Sequence, residues 1–171
     1  MNTIEADSIF DVVKRLHYIT PIKDFWFRGS SNIDYGLLPG IIWREAMDRE
    51  GTYVHNFLVR YQAYTDKSVS NPWERYALMQ HHGLPTRLLD WTSSPLNAIF
   101  FALNQDPDKN TDRVIWMLDP RSFNKYFHDS ESIICPAVLE STEIRIDEND
   151  KNSKTWNVDS YLPQILDKHD H

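Results

Sequence analysis

The chain has 171 residues, 41% hydrophobic and 25% charged, which suits one globular domain with a real core and excludes disorder throughout. Its 18 basic and 25 acidic residues leave a net charge of −7, so nucleic acid is a disfavoured partner: there is no global attraction for phosphate backbones. The lone Cys135 excludes an internal disulfide, supplies no structural zinc site and reads as a small buried hydrophobe.

The elements follow in chain order. The N-terminus carries acids and no long apolar run, so it is not read as a secretory leader. Asp7 or Ser8 can cap a first helix, with Ile9, Phe10, Val13 and Leu16 as its apolar stripe. Asp24 to Gly29 is an aromatic-rich strand, and Ser30 to Pro39 a loop with turn signals at Asn32 and Gly36. Arg44 to Tyr64 is expected to be one helix, weakened in its middle by Gly51. After a polar break at 66–72, Asn71 caps a helix with Pro72 at its first position, and Gly83 ends it. Leu84 to Trp91 reads as a loop running into a strand. Ser94 then caps a helix that is apolar on most of its surface and therefore expected to be buried. Asn104 to Asp112 is a polar loop, Arg113 to Asp119 the clearest strand, and Ser122 to Phe127 a short helix. Past Asp129 lie the acids Glu140, Glu143, Asp147, Glu148 and Asp150. Strands are expected over 133–139 and 143–146, an acidic loop over 147–155 and one helical turn over 160–166. No stretch approaches 18 apolar residues, so no membrane association is expected and the cytoplasm is the default location.

The expected fold is α+β in a single domain, its helices in the N-terminal two thirds packed against a small mixed or antiparallel sheet. Residues 1–23 form an N-terminal helix, 24–128 the core and 129–171 a short C-terminal part of the same domain.

Three places set polar groups against apolar ones. At the end of the first strand, Gly29 permits close backbone approach while the planar Arg28 fork suits phosphate or carboxylate. A structural ion pair is the bland reading. The second place runs from Gln80 through His81, His82, Gly83, Thr86 and Arg87 to Asp90, too polar to be filler between two packed helices. One histidine is expected to face a cleft and the other the core. The bland reading here is a buried network in which Arg87 pairs with Asp90. Adjacent histidines point about 100° apart on a helix, so no metal is expected. The third is Thr92-Ser93-Ser94-Pro95, where free N–H groups and hydroxyls suit an anion, or simple capping.

These segments resemble the FRG-domain family. Phe27-Arg28-Gly29 matches its naming motif. Leu37-Leu38-Pro39 with Arg44 is similar to its "L-x-P-S-x-x-R" stretch, with Gly40 in place of Ser. Gln80 to Thr92 is close to its signature "Q-H-x-G-x-P-T-R-L-L-D-W-T". The family's closing "R-I-x-x-Q-x-G-x-F-T" motif is absent, and Trp156 to Pro163 matches only its lead-in, so the chain reads as a naturally short member or a truncated one. The family tends to occur in bacteria and phages, sometimes in defence-like contexts.

A more distant likeness, to the Arg–Ser–Glu pattern of ADP-ribosyltransferases, implies a fold of that kind and NAD as a substrate. Arg28 would clamp phosphate, His81 or His82 would hydrogen-bond the ligand, and Ser93 or Ser94 would orient the sugar. Gly29, Gln80, Thr86, Arg87 and Asp90 would line or support the site. No residue matches the catalytic glutamate. Two functions stay open: a nucleotide site for ADP-ribosyl transfer or NAD cleavage, and a non-catalytic module of bacterial or phage origin that binds a host or phage protein.

Overall fold

Caps and turn residues divide the chain as their chemistry dictates. In this computed structural model, which describes residues 2–63, 69, 71–104, 111–136, 143–145, 155–157 and 162–163, Ser8 accepts the Asp11 N–H and opens α1, Ile9–Ile19. Asn71 accepts from the N–H groups of Trp73 and Glu74 at 2.9 and 3.2 Å, and Pro72 occupies the first position of α4, Pro72–His81. Gly83 ends α4 at φ +79, its N–H bonding to the Gln80 carbonyl while Leu84 N–H reaches Met79. This is a Schellman stop, in which the left-handed residue lets the last carbonyls be satisfied.

The contacts group the chain into two compact units. The first comprises Met1–Gly36 and Asp90–Phe127. Here strand β1, Trp26–Ser30, pairs antiparallel with β2, Val114–Leu118, setting Arg28 opposite Trp116 and Gly29 opposite Ile115. Helix α5, Pro95–Asn104, lies against β1. The approach is close because Gly29 has no side chain: a Cβ there would sit 1.8 Å from the Ala98 carbonyl oxygen. Ala98 and Ala102 are the buried residues of α5, and Phe27, 1% exposed, fills the same face of the sheet as Gly29. Asp119 opens α6, Pro120–His128, by accepting from the Ser122 N–H and hydroxyl, and takes an ion pair from Lys23 at 2.7 Å.

The second unit comprises Leu37–Leu89 and His128–His171. Its core is Val54, Phe57 and Tyr61 from one helical stripe, Tyr76 and Met79 from α4, and Leu162. A second antiparallel pair joins β3, Glu143–Arg145, to β4, Thr155–Asn157. The fold class is α+β, as the sequence implied, and both sheets are antiparallel. None of the described helices is long and apolar enough to cross a membrane.

Several expectations change. The helix over 44–64 is shorter and starts later. A one-turn helix α2, Gly40–Trp43, closes with Glu45 at φ +50, and α3 runs only from Glu50 to Arg60, so Gly51 lies in its first turn. The Glu45 N–H bonds to Ile42 and the Ala46 N–H to Ile41, again a Schellman pattern, with buried Ile41 and Ala46 in the positions that usually pack together. A glutamate here takes the position glycine usually fills, which is why no stop was legible. Helix α5 is not buried all round: Leu96 is 64% exposed and Phe100 57%. Residues 133–136 form no strand, and Cys135 is exposed rather than buried. No strand forms over 84–91 either; the segment joins the sheet only at Thr92, which exchanges backbone bonds with Phe27. The expected strand beyond residue 136, the last residue of the one over 143–146, the loop over 147–154 and the helical turn over 160–166 apart from 162 and 163 lie outside the described residues.

Candidate functional site

The signature segment divides between the two units: Gln80 to Leu89 belongs to the second and Asp90 to Ser94 to the first. In the first unit, alternation along β1 turns Phe27 and Gly29 toward α5 and Arg28 to the opposite face of the sheet, beside Trp116. Arg28 is half-buried, and its Nη1 donates to the Asp90 carbonyl at 2.9 Å. Among the described residues that is the one hydrogen bond its guanidinium makes. Burial lowers the Arg28 pKa from its ordinary value and the Asp90 carboxylate partly offsets this. The guanidinium remains charged at neutral pH, because an arginine starts so far above it. The Trp116 indole N–H is buried with no partner among the described residues.

The same unit holds the serine pair. The Ser94 N–H bonds to the Thr92 hydroxyl at 3.1 Å, the Ser94 hydroxyl accepts the Asn97 N–H at 3.4 Å, and the Ser94 carbonyl accepts from Ala98. Ser94 therefore caps α5, and Ser93 stands exposed beside it.

In the second unit the signature residues serve mostly one another. Thr86, wholly buried, donates its hydroxyl to the Gln80 side-chain oxygen, and the Gln80 amide reaches the Leu88 carbonyl at 3.4 Å. Arg87 does not pair with Asp90. Its guanidinium forks onto both oxygens of Glu50, and its backbone N–H donates to the Tyr76 hydroxyl at 2.8 Å. The Tyr76 hydroxyl in turn donates to Glu50 at 2.7 Å. Burial first, and the Glu50 carboxylate with it, raises the Tyr76 phenol well above its ordinary range, against the lowering effect of the Arg87 N–H. The Arg87 pKa is raised, chiefly by its hydrogen bond to Glu50.

Both His81 and His82 are exposed; neither faces the core. Their rings meet edge to face at 5.5 Å, and among the described residues neither imidazole makes a hydrogen bond. Both are open to solvent.

Glu50 and Tyr76 were missed by sequence reasoning, although one signal existed. Glu50, Val54, Phe57 and Tyr61 repeat at i, i+4, i+7 and i+11, which places a carboxylate on an otherwise apolar stripe. A charge in that register needs a cation, and Arg87 provides it.

No curated protein and no solved structure matches the chain. The family model for the FRG domain matches residues 23–111. That span covers more than half of the chain and takes in β1, the signature and α5, so the protein belongs to the FRG-domain family.

Proposed function

We propose that this FRG-domain protein binds a phosphate-bearing ligand of the NAD type at Arg28, on the face of β1 turned away from α5. The observation that carries this reading is the state of the guanidinium. It is partly desolvated, anchored by one bond to a backbone carbonyl, and has donors that no described residue occupies. A cation taken partly out of water interacts more strongly with an anion than a solvated one does, and a fixed planar fork suits phosphate. Asp90 and the exposed Ser93 would meet the sugar side of such a ligand, with Ser94 holding the start of α5. ADP-ribosyl transfer or NAD cleavage is the chemistry in view, and Asp90 is the carboxylate whose field already acts on Arg28.

The test is isothermal calorimetry of NAD and of ADP-ribose against the wild type and Arg28→Ala. Loss of a charge-assisted hydrogen bond is worth roughly 1.5–3 kcal/mol, so affinity should fall by about tenfold or more while the variant keeps a cooperative unfolding transition. A folded wild type that takes up neither compound would sink the reading. The remaining function would then be a non-catalytic interaction module, which the exposed Leu96, Phe100 and Phe101 of α5 support.

A further inference from the structure

We propose that the chain pairs with a second copy of itself edge to edge through β2, the two β2 strands running antiparallel about a two-fold axis at Trp116 and joining the two sheets into one. The edge is open. Phe27 exchanges both its backbone bonds with Thr92, so by the alternation of an antiparallel ladder the β2 residues that bond to β1 are Val114, Trp116 and Leu118. The N–H and C=O groups of Ile115 and Met117 therefore point away from β1, and among the described residues they make no hydrogen bond. Exposed edges are ordinarily blunted by a lysine, a proline or a bulge. β2 reads Val-Ile-Trp-Met-Leu in unbroken register with β1 and has none of these. Met117 on this edge is 42% exposed.

The occupant and the register follow from the strand's own ends. A two-fold axis at Trp116 sets Ile115 opposite the other copy's Met117, and both carry outward backbone groups, so each such pair exchanges N–H···O bonds in both directions. The same axis sets Arg113 opposite the other copy's Asp119. Arg113 is exposed and has no ion pair among the described residues. Asp119 accepts from Lys23, the Ser122 N–H and the Ser122 hydroxyl, which leaves room at a carboxylate with about four acceptor sites. One step further out Asp112 faces Pro120, so no like charges oppose one another, and Pro120, which has no N–H, ends the ladder. An axis of this kind is perpendicular to the sheet, so both α5 helices stand on the same side of it. Each packs over its own β1. The two β1 strands are separated by three strand spacings, about 14 Å, which is wider than a helix. The helices therefore do not collide, and Ile115 and Met117 of both copies fill the space between them. A single short edge makes a small interface, so the pairing belongs to the weak, transient class.

The experiment is sedimentation equilibrium of the full chain from low micromolar to millimolar concentration. The wild-type mass should rise from 20.2 kDa toward twice that value. Met117→Pro removes an outward N–H and leaves the bonds to β1 in place, since an edge strand tolerates proline where its N–H faces solvent. This variant should stay at 20.2 kDa where the wild type pairs. Arg113→Glu sets two carboxylates against each other just outside the strand and should weaken pairing by about fivefold at low salt. Far-ultraviolet circular dichroism should be unchanged in both. A wild type that stays at 20.2 kDa throughout overturns the proposal and leaves the edge to an extended segment of another protein. A dimer that Met117→Pro leaves within about threefold of wild type overturns it as well, because the contact then lies elsewhere. If Met117→Pro loses its cooperative melt, Arg113→Glu decides: a dimer that this variant leaves unchanged at low salt overturns the proposal.

Discussion

Glu50 shows how one carboxylate can set a whole loop. It is 4% exposed and touches the Tyr76 hydroxyl and the Arg87 guanidinium, while the Arg87 backbone N–H closes the triangle through Tyr76. Removing one partner of a buried pair leaves the other charge uncompensated. Here the Arg87 side chain is 41% exposed and recovers some hydration, so the loss is smaller than for a fully buried pair. Glu50→Gln should cost about 2 kcal/mol in urea unfolding, with the slope unchanged. Asp119 makes a pH-dependent contribution of known sign. Lys23, then the Ser122 N–H and hydroxyl, hold its pKa below the ordinary 3.8. A depressed carboxylate pKa stabilises the fold above the unfolded value, and the gain is lost as pH falls through the folded one. Wild-type stability should therefore decline below about pH 4, and Asp119→Asn should flatten that decline. Thermal melts from pH 2 to 7 that show equal slopes for both proteins would remove Asp119 from the account.

At the scale of elements, the packing of α5 on β1 depends on small residues meeting. Gly29 faces Ala98 and Ala102, and the helix backbone occupies the space a side chain would need. Gly29→Ala must push α5 outward or break the β1–β2 pairing. Overpacking of this kind typically costs 1–3 kcal/mol, and a contact with rigid backbone belongs at the upper end, about 3 kcal/mol. The melting temperature should fall by about 6–12 °C for a chain of this length. A drop under about 2 °C would mean the helix can shift freely. The same close approach explains why α5 could be so apolar and yet half-exposed. Two alanines do the burying, and the larger side chains point elsewhere.

For the molecule as a whole, the family match at 23–111 leaves α1 outside the matched span. α1 buries no residue completely, so its deletion should be tolerated: a chain lacking residues 1–20 should unfold cooperatively with a loss of only about 1–2 kcal/mol, scored by circular dichroism melts. Loss of a cooperative transition would show that α1 is integral to the first unit. What the sequence by itself determined was local. Ser8, Asn71 with Pro72, Gly83 and Ser94 marked helix ends through bonds a residue makes within its own turn, and the FRG signature identified the family by its order. The partners were decided only in three dimensions. Arg87 binds Glu50, 37 positions away, rather than nearby Asp90, and Arg28 takes the Asp90 carbonyl, 62 positions on. Pairing across such distances depends on which backbone segments the packing brings together, and no local propensity encodes that. Exposure is the same kind of property: the histidine pair, Cys135 and the outer side of α5 are solvent-facing because of what packs beside them, which composition and period cannot state.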